Sequence, residues 1–149
     1  MNKVQSITCS ATSNLDVRIP DPQGRHIVLY FYPKDATPGC TTEGQNFRDN
    51  HPAFVDANAV IYGVSKDTLA KHEKFKAKQE FPFELISDEQ GELCELFGVW
   101  QLKKFMGREY MGIVRSTFII DPEGKIVKSW DKVKVKGHAN EVLEALVSL

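Results

Sequence analysis

The chain has 149 residues, a formal net charge of −1 and 42% hydrophobic residues. This length suits one domain with a substantial core, and we predict a single domain over residues 1–149. The balanced charge excludes a general binder of nucleic acid or anionic membranes. The longest apolar run, residues 27–32, is too short to span a bilayer. The first six residues lack the apolar core of a signal peptide, and we therefore expect a cytoplasmic protein.

Hydrophobic patterning predicts strands that alternate with helices. Residues 15–19 alternate with period two, which predicts a strand in an exposed hairpin arm. Residues 26–32 are nearly all apolar, which predicts a buried central strand. The remaining predicted elements are a helix at 38–50, a strand at 59–64, a helix at 67–79, a strand at 83–86, a helix at 88–97, a strand hairpin at 114–120 and 126–130, and a helix at 138–149. This order predicts an α/β fold with a mixed sheet.

Two basic segments remain outside this pattern. Residues 132–136 alternate lysine with valine, which predicts a strand with its lysines on one face. Such a face protects a sheet edge, or it docks an acidic reductant. Lys103, Lys104 and Arg108 are expected in a solvated, glycine-containing loop.

The three cysteines, Cys9, Cys40 and Cys94, limit the sulfur chemistry. A small, odd number does not build the disulfide framework of a secreted domain. The sequence has no CxxC spacing and no histidine pair at zinc-site spacing, so we expect no metal and no cofactor. A functional role for any of the three cysteines then depends on the reactivity of its thiol, which is determined by its surroundings.

Residues 30–43, which read YFYPKDATPGCTTE, carry the strongest chemical signal. They begin at the C-terminal end of the predicted central strand, where active sites of open α/β sheets gather. Thr37 and Pro38 are a helix-start signal, with threonine as N-cap and proline at the first helical position. Cys40 then lies in the first turn, where free N–H groups and the helix dipole favour a thiolate. The same position also suits Cys40 as a buried filler.

This segment resembles the active-site loop of the peroxiredoxins, in the form typical of the peroxiredoxin Q (bacterioferritin comigratory protein) subfamily. The shared pattern consists of Pro33, Thr37 and Cys40 within the YFYPKD and TPGCTTE stretches. The resemblance continues at residues 63–65, 87–88, 97–99, 112–121 and 130–138. It implies a thioredoxin-like fold with a central mixed β-sheet flanked by helices. It also implies a thiol-dependent peroxidase of antioxidant defence, which reduces hydrogen peroxide and organic hydroperoxides to water or alcohols.

The resemblance assigns a role to each residue of the site. Cys40 would be the peroxidatic cysteine, whose thiolate attacks peroxide and becomes a sulfenic acid. Arg115 would hold the thiolate and the peroxide, the Thr37 hydroxyl would bond the peroxide, and Pro33 would shield the pocket from water. Glu43 would orient Arg115, or else it would complement the helix dipole as a first-turn carboxylate.

The usual resolving cysteines of the subfamily are missing, because their two aligned positions hold Gln45 and Lys76. Cys94 fits a small buried residue on a helix face, and Cys9 lies near an N-terminal arm that we expect to be mobile and exposed. Either of them remains a candidate to resolve Cys40. We expect one-cysteine chemistry with an external thiol (thioredoxin, glutaredoxin or glutathione) as the reductant. We expect a monomer, with a dimer as the alternative.

Two other functions remain as rivals. A thioredoxin-type disulfide oxidoreductase needs CxxC, but the positions three residues before and after Cys40 hold Thr37 and Glu43. A redox-sensing or holdase interaction protein would use Cys40 as a switch. It would react slowly with peroxide and form concentration-dependent oligomers.

Overall fold

A seven-stranded mixed sheet forms the centre of the fold in a computed structural model, which describes residues 3–149. Its strand order is β2-β1-β5-β4-β3-β8-β9, and β6 pairs with β7 in a separate hairpin. The elements in chain order are β1 (Ile7–Ala11), β2 (Leu15–Ile19), β3 (His26–Phe31), α1 (Pro38–Asp49), α2 (His51–Asp56), β4 (Ala59–Ser65), α3 (Leu69–Gln79), β5 (Glu84–Ser87), α4 (Glu92–Leu96), β6 (Trp100–Phe105), β7 (Arg108–Ile113), β8 (Ser116–Ile120), β9 (Ile126–Trp130) and α5 (His138–Val147). The predicted α/β class with a mixed central sheet is confirmed.

Strand β3 lies at the centre of the sheet, because it pairs in parallel with β4 and antiparallel with β8. Five of its six residues are buried, as its apolar run predicts. Successive side chains of a strand point to opposite faces. Val28 and Tyr30 therefore pack in one layer with α1 and α5, while Ile27 and Leu29 pack in a second layer with α4. The sheet separates these two hydrophobic layers.

The predicted helix at 38–50 is confirmed as α1, and a short helix that was not predicted, α2, follows it. Helix α1 ends at Asp49, and α2 begins at His51 with Pro52 in its first turn. Pro52 has no N–H to donate to the preceding turn, so α1 cannot continue through it. Helix α3 starts later than predicted because the Thr68 hydroxyl caps it, accepting from the N–H of Lys71 at 3.2 Å. None of the helices between residues 3 and 149 has the length and apolarity that crossing a membrane requires.

The two basic segments differ from the prediction. Lys103 and Lys104, expected in a loop, lie in β6, and Arg108 begins β7. Antiparallel pairing between β6 and β7 forms this hairpin. The sequence of these strands does not show the apolar alternation that would have predicted them. Residues 132–136, expected as a strand, form bends and turns between β9 and α5. The expected lysine face is therefore wrong.

A glycine allows α1 to lie close to the rest of the core. An added Cβ on Gly44 would come within 2.3 Å of the Cζ atom of Phe81. This distance is far below ordinary van der Waals contact, so a side chain at this position would push α1 and Phe81 apart. Gly44 thus helps to set the position of the helix whose first turn contains Cys40.

Candidate active site

Cys40 lies in the first turn of α1, just beyond the C-terminal end of β3. Thr37 is the N-cap residue in extended conformation and Pro38 follows it, as predicted. The first hydrogen bond of the helix runs from the Thr41 N–H to the Thr37 carbonyl at 2.9 Å. The N–H of Cys40 precedes that bond and has no intrahelical acceptor. The Cys40 side chain is buried, with 2% exposure.

The loop of residues 33–37 connects β3 to α1. Pro33 is exposed at the start of this loop, and Thr37 is half-buried at its end. The Thr37 side chain does not cap the helix, contrary to the expectation for an N-cap threonine. Its hydroxyl instead donates to the carbonyl of Lys34 at 2.9 Å. Because the proton is used in this way, the oxygen lone pairs stay available to accept a hydrogen bond.

Arg115 connects Cys40 to Glu43. Its Nη2 donates to Sγ of Cys40 at 3.3 Å, and its Nη1 donates to Oε1 of Glu43 at 2.5 Å. Glu43 lies in the second turn of α1, and the first turn contains no acidic residue. The alternative expectation, a first-turn carboxylate that complements the helix dipole, is therefore wrong. The contact that Glu43 makes is with Arg115.

Burial governs the electrostatics of this pair. Burial raises the pKa of Glu43 to about 7, and the Arg115 guanidinium opposes that rise. Burial lowers the pKa of Arg115, but Glu43 and Cys40 together bring it above its ordinary value. Within the described part of the chain, Oε2 of Glu43 and the hydroxyl of Tyr30 are buried without hydrogen-bond partners. The arginine therefore stays charged at neutral pH, whereas Glu43 titrates there.

A second buried network ties the loop to α3. The Asp35 carboxylate accepts from the Tyr32 hydroxyl at 2.5 Å and lies 2.6 Å from Nδ1 of His72. Nε2 of His72 lies 2.9 Å from the carbonyl of Ile86, which only accepts, so Nε2 carries a hydrogen. A hydrogen bond between Nδ1 and Asp35 then needs one further proton, carried by either side chain. His72 is not among the site residues predicted from the sequence. The signals that could have found it were a histidine on the apolar face of α3 and an acid in the loop.

The Asp35, Asp67 and His72 side chains lie close enough together to suggest a metal site, with their ligand atoms within 4.8 Å of one another. Each group already has partners. The Asp67 carboxylate accepts from the Ser65 hydroxyl at 2.5 Å and from the Asp35 N–H at 2.8 Å. Hydrogen bonds thus hold the cluster together, and we assign no metal to it.

The other two cysteines lie on the opposite face of the sheet from Cys40. Cys94 is fully buried in α4, and Cys9 is half-buried in β1, opposite Val17 of β2. The expectation of an exposed arm for Cys9 is wrong, because β1 is an internal strand of the sheet. Burial, with Asp88 and a second carboxylate, raises the pKa of Cys9 to about 11. Burial and Asp88 raise the pKa of Cys94 even further. Both sulfurs therefore remain thiols at neutral pH.

The two positions of the missing resolving cysteines carry structural contacts. The Gln45 amide donates to the side chain of Gln79 at 2.9 Å, which links α1 to α3. Lys76 forms an ion pair with Glu84 at 2.7 Å, which links α3 to β5. The sequence thus uses polar side chains at these positions to join elements of the fold.

A thioredoxin-like sheet with a helix-start cysteine beside an arginine defines the class of thiol-dependent peroxidases. The chain belongs to the AhpC/TSA family, whose sequence profile matches residues 2–129. Peroxiredoxin Bcp of Bacillus subtilis is 57% identical over 130 residues, which cover 87% of this chain and 83% of the relative. The likeness to the peroxiredoxin Q subfamily and the thiol peroxidase activity are thereby confirmed.

Solved structures agree with this assignment. Peroxiredoxin Q of Xanthomonas campestris superposes with a TM-score of 0.90 at 46% identity, over 95% of this chain and 90% of that chain. A second structure, at 45% identity with the same TM-score and coverage, concerns the alkyl peroxide reduction activity of the bacterioferritin comigratory protein of that organism. The predicted thioredoxin-like fold is confirmed.

Proposed function

We propose that this chain is a one-cysteine peroxidase that reduces hydrogen peroxide and organic hydroperoxides through a sulfenic acid at Cys40. The observation that carries the proposal is the contact between Sγ of Cys40 and Nη2 of Arg115, at 3.3 Å. Organic hydroperoxides are included because a close relative is described by its alkyl peroxide reduction. The reductant is an external thiol.

In the first half-reaction, the Cys40 thiolate attacks one peroxide oxygen in line with the O–O bond. The S–O bond forms as the O–O bond breaks, and the leaving oxygen takes a proton and departs as water or an alcohol. Arg115 and the Cys40 N–H stabilise the charge that develops on that oxygen. The Thr37 oxygen accepts a hydrogen bond from the peroxide. Pro33 shields the pocket from water, and it has no N–H that would need a partner there.

Glu43 acts through Arg115 and does not touch the peroxide. A guanidinium presents its donors in a fixed fork, so a partner on Nη1 also fixes where Nη2 points. Because Glu43 holds Nη1, Nη2 stays directed at the Cys40 sulfur. Glu43 is therefore a positioning residue.

The position of the other sulfurs supports one-cysteine chemistry. Cys9 and Cys94 pack in the layer opposite to that of Cys40, with the sheet between them. A disulfide requires Cα atoms closer than about 7 Å, which two layers on opposite faces of a sheet do not provide. The sulfenic acid of Cys40 is therefore reduced by a thiol from outside the chain.

The test is the intact mass of the reduced protein after a slight excess of hydrogen peroxide, with peptide mapping. We expect added oxygen on Cys40 and no reaction in Cys40→Ser. Loss of two hydrogens per chain, or a covalent dimer, would contradict one-cysteine chemistry, and Cys9→Ser and Cys94→Ser would identify the resolving sulfur. Turnover by Cys40→Ser would overturn the site. Slow oxidation with concentration-dependent oligomers would favour the redox-sensing or holdase function instead.

A further inference from the structure

A groove lies between the active-site loop and α3. Residues 34–36 of the loop, Thr41 of α1 and one face of α3 line it, and its volume is about 490 Å³. Small-molecule sites in proteins have volumes of roughly 300–1,000 Å³. Thr41 directly follows Cys40, so the groove borders the turn that contains the reactive sulfur. The Phe75 ring and the Ala36 methyl group give it apolar surface.

Four lysines surround the groove: Lys34, Lys71, Lys74 and Lys78. Those on α3 are spaced i, i+3 and i+7, so they share one face of the helix. All four side chains are exposed. Among residues 3–149, none of their ammonium groups has an acidic partner within ion-pair distance.

The acidic residues of the groove do not neutralise these lysines. The carboxylate of Asp35 is buried against His72 and Tyr32. The carboxylate of Asp67 accepts from the Ser65 hydroxyl and the Asp35 N–H. Four lysines without acidic partners in the described residues therefore line a concave surface, on a chain whose net charge is −1. An anionic ligand complements this surface.

We propose that the groove binds an anionic low-molecular-weight thiol with a carboxylate at each end, such as glutathione, and directs its sulfur to oxidised Cys40. This inference rests on the proposed one-cysteine function, which requires an external thiol. Helix geometry places Lys71 and Lys78 about 10.5 Å apart along the axis of α3. Three extended residues span about 10 Å, so a tripeptide thiol matches the lysine spacing.

The thiol reaction balances in two steps. The bound thiolate attacks Sγ of the Cys40 sulfenic acid, an S–S bond forms as the S–O bond breaks, and the hydroxide leaves as water after taking a proton. A second thiolate attacks the sulfur of the bound thiol and releases the Cys40 thiolate with the small-molecule disulfide. Two thiols are oxidised and one sulfenic acid is reduced in each cycle.

The experiment compares glutathione with its glycyl ethyl ester, which has the same thiol and one carboxylate fewer. Rapid quench and mass spectrometry measure the rate at which each reduces the Cys40 sulfenic acid. In the unmodified protein we expect glutathione to react several-fold faster than the ester, with a difference that shrinks as ionic strength rises. We expect Lys74→Glu to slow glutathione by roughly tenfold and the ester by less, because the variant reverses a charge at the groove.

Lys125→Glu is the matched control, because it makes the same charge change in the turn between β8 and β9. That turn lies at the far end of the sheet, since Ile120 of β8 pairs with Ile27 near the start of β3. We expect this control to react like the unmodified protein with both thiols. Lys78→Glu repeats the test on the next turn of α3, in case Lys74→Glu folds poorly.

Equal rates with glutathione and the ester, or equal effects of Lys74→Glu and Lys125→Glu, would overturn the proposal. So would a Lys74→Glu variant that is slowed with thioredoxin and unchanged with glutathione, because the surface would then dock a protein. The oxidation of Cys40 by peroxide is measured in the same samples. If Cys40 oxidises rapidly but glutathione has no advantage, the groove assignment alone fails. If Cys40 does not oxidise, the proposed function fails.

Discussion

Nδ1 of His72 lies 2.6 Å from Oδ2 of Asp35, and both side chains are buried in the interior. Asp35 belongs to the loop before Cys40, whereas His72 belongs to α3 and is 0% exposed. The contact therefore fastens the active-site loop to a helix that is 37 residues away in the chain. A buried bond of this kind helps to keep the start of α1 in one conformation.

Two substitutions of Asp35 should separate the hydrogen bonds from the charge. In Asp35→Asn, the amide can donate to Nδ1 of His72 and accept from the Tyr32 hydroxyl, so we expect the free energy of unfolding to fall by about 1 kcal/mol or less. Asp35→Ala leaves buried groups of His72 and Tyr32 without partners, and we expect a loss of about 2–4 kcal/mol. Urea unfolding measures both losses of stability. Equal losses would show that Asp35 does not stabilise the fold through its hydrogen bonds to His72 and Tyr32.

Substitutions of Arg115 should slow the oxidation of Cys40. Arg115→Ala removes the donor to the sulfur, and we expect the rate with hydrogen peroxide to fall by about a hundredfold to a thousandfold. Arg115→Lys keeps the charge but cannot bond Glu43 and Cys40 through one planar fork, so an intermediate loss is expected. Stopped-flow measurement of peroxide consumption checks this. Full activity in Arg115→Lys would mean that charge alone suffices and that the fork has no role.

The titration of Glu43 should appear in the pH dependence of stability. Its pKa in the folded chain is raised to about 7 by burial, from an ordinary value of 4.5. The stability that this group contributes is therefore full below its unfolded pKa and is lost as the pH rises through 7. Between pH 5 and pH 8 we expect the unmodified chain to lose about 1–3 kcal/mol more than Glu43→Gln.

Urea unfolding at the two pH values measures this difference. Glu123→Gln, which changes an exposed carboxylate in the turn between β8 and β9, is the matched control. It should follow the unmodified chain. Parallel pH curves for Glu43→Gln and the unmodified chain would place the Glu43 pKa near its ordinary value.

Gly44→Ala should destabilise the fold. The Cβ of the new alanine would lie 2.3 Å from the Phe81 ring. Overpacking of this kind lowers the free energy of unfolding by roughly 1–3 kcal/mol. Combining it with Phe81→Leu, which shortens the opposing side chain, should recover part of that loss relative to the sum of the single effects. Thermal unfolding of the three variants measures the coupling. Additive losses would show that the two positions do not meet as described.

Local sequence signals predicted the part of the site that lies close together in the chain. The Thr37–Pro38 start of α1 and the first-turn position of Cys40 follow from capping preferences alone. Arg115 lies 75 residues from Cys40, and the family resemblance, not any local pattern, pointed to their contact. No periodicity in the sequence could indicate that His72 meets Asp35, because this contact depends on how α3 packs against the loop.

The errors in the predicted fold have the same origin. The alternation in residues 132–136 has the period of a strand, yet no strand pairs with them. Residues 103–108 look like a loop, yet β6 and β7 pair across them in register. Strand formation depends on a partner as much as on the segment itself, and the sequence of the segment does not specify the partner.

Gln45 lies five residues after Cys40 on α1, and its amide is held by Gln79. Regular helix geometry places the Cα atoms of such residues about 8.7 Å apart, too far for a disulfide. An enzyme that joined these two positions would have to unwind α1 and rebuild it in every turnover. The proposed cycle needs no such step, so the helix can remain wound while peroxide and thiol arrive in turn. The rate of turnover would then depend on how fast Cys40 reacts with peroxide and how fast its sulfenic acid reacts with the thiol. No refolding of α1 would separate these two reactions.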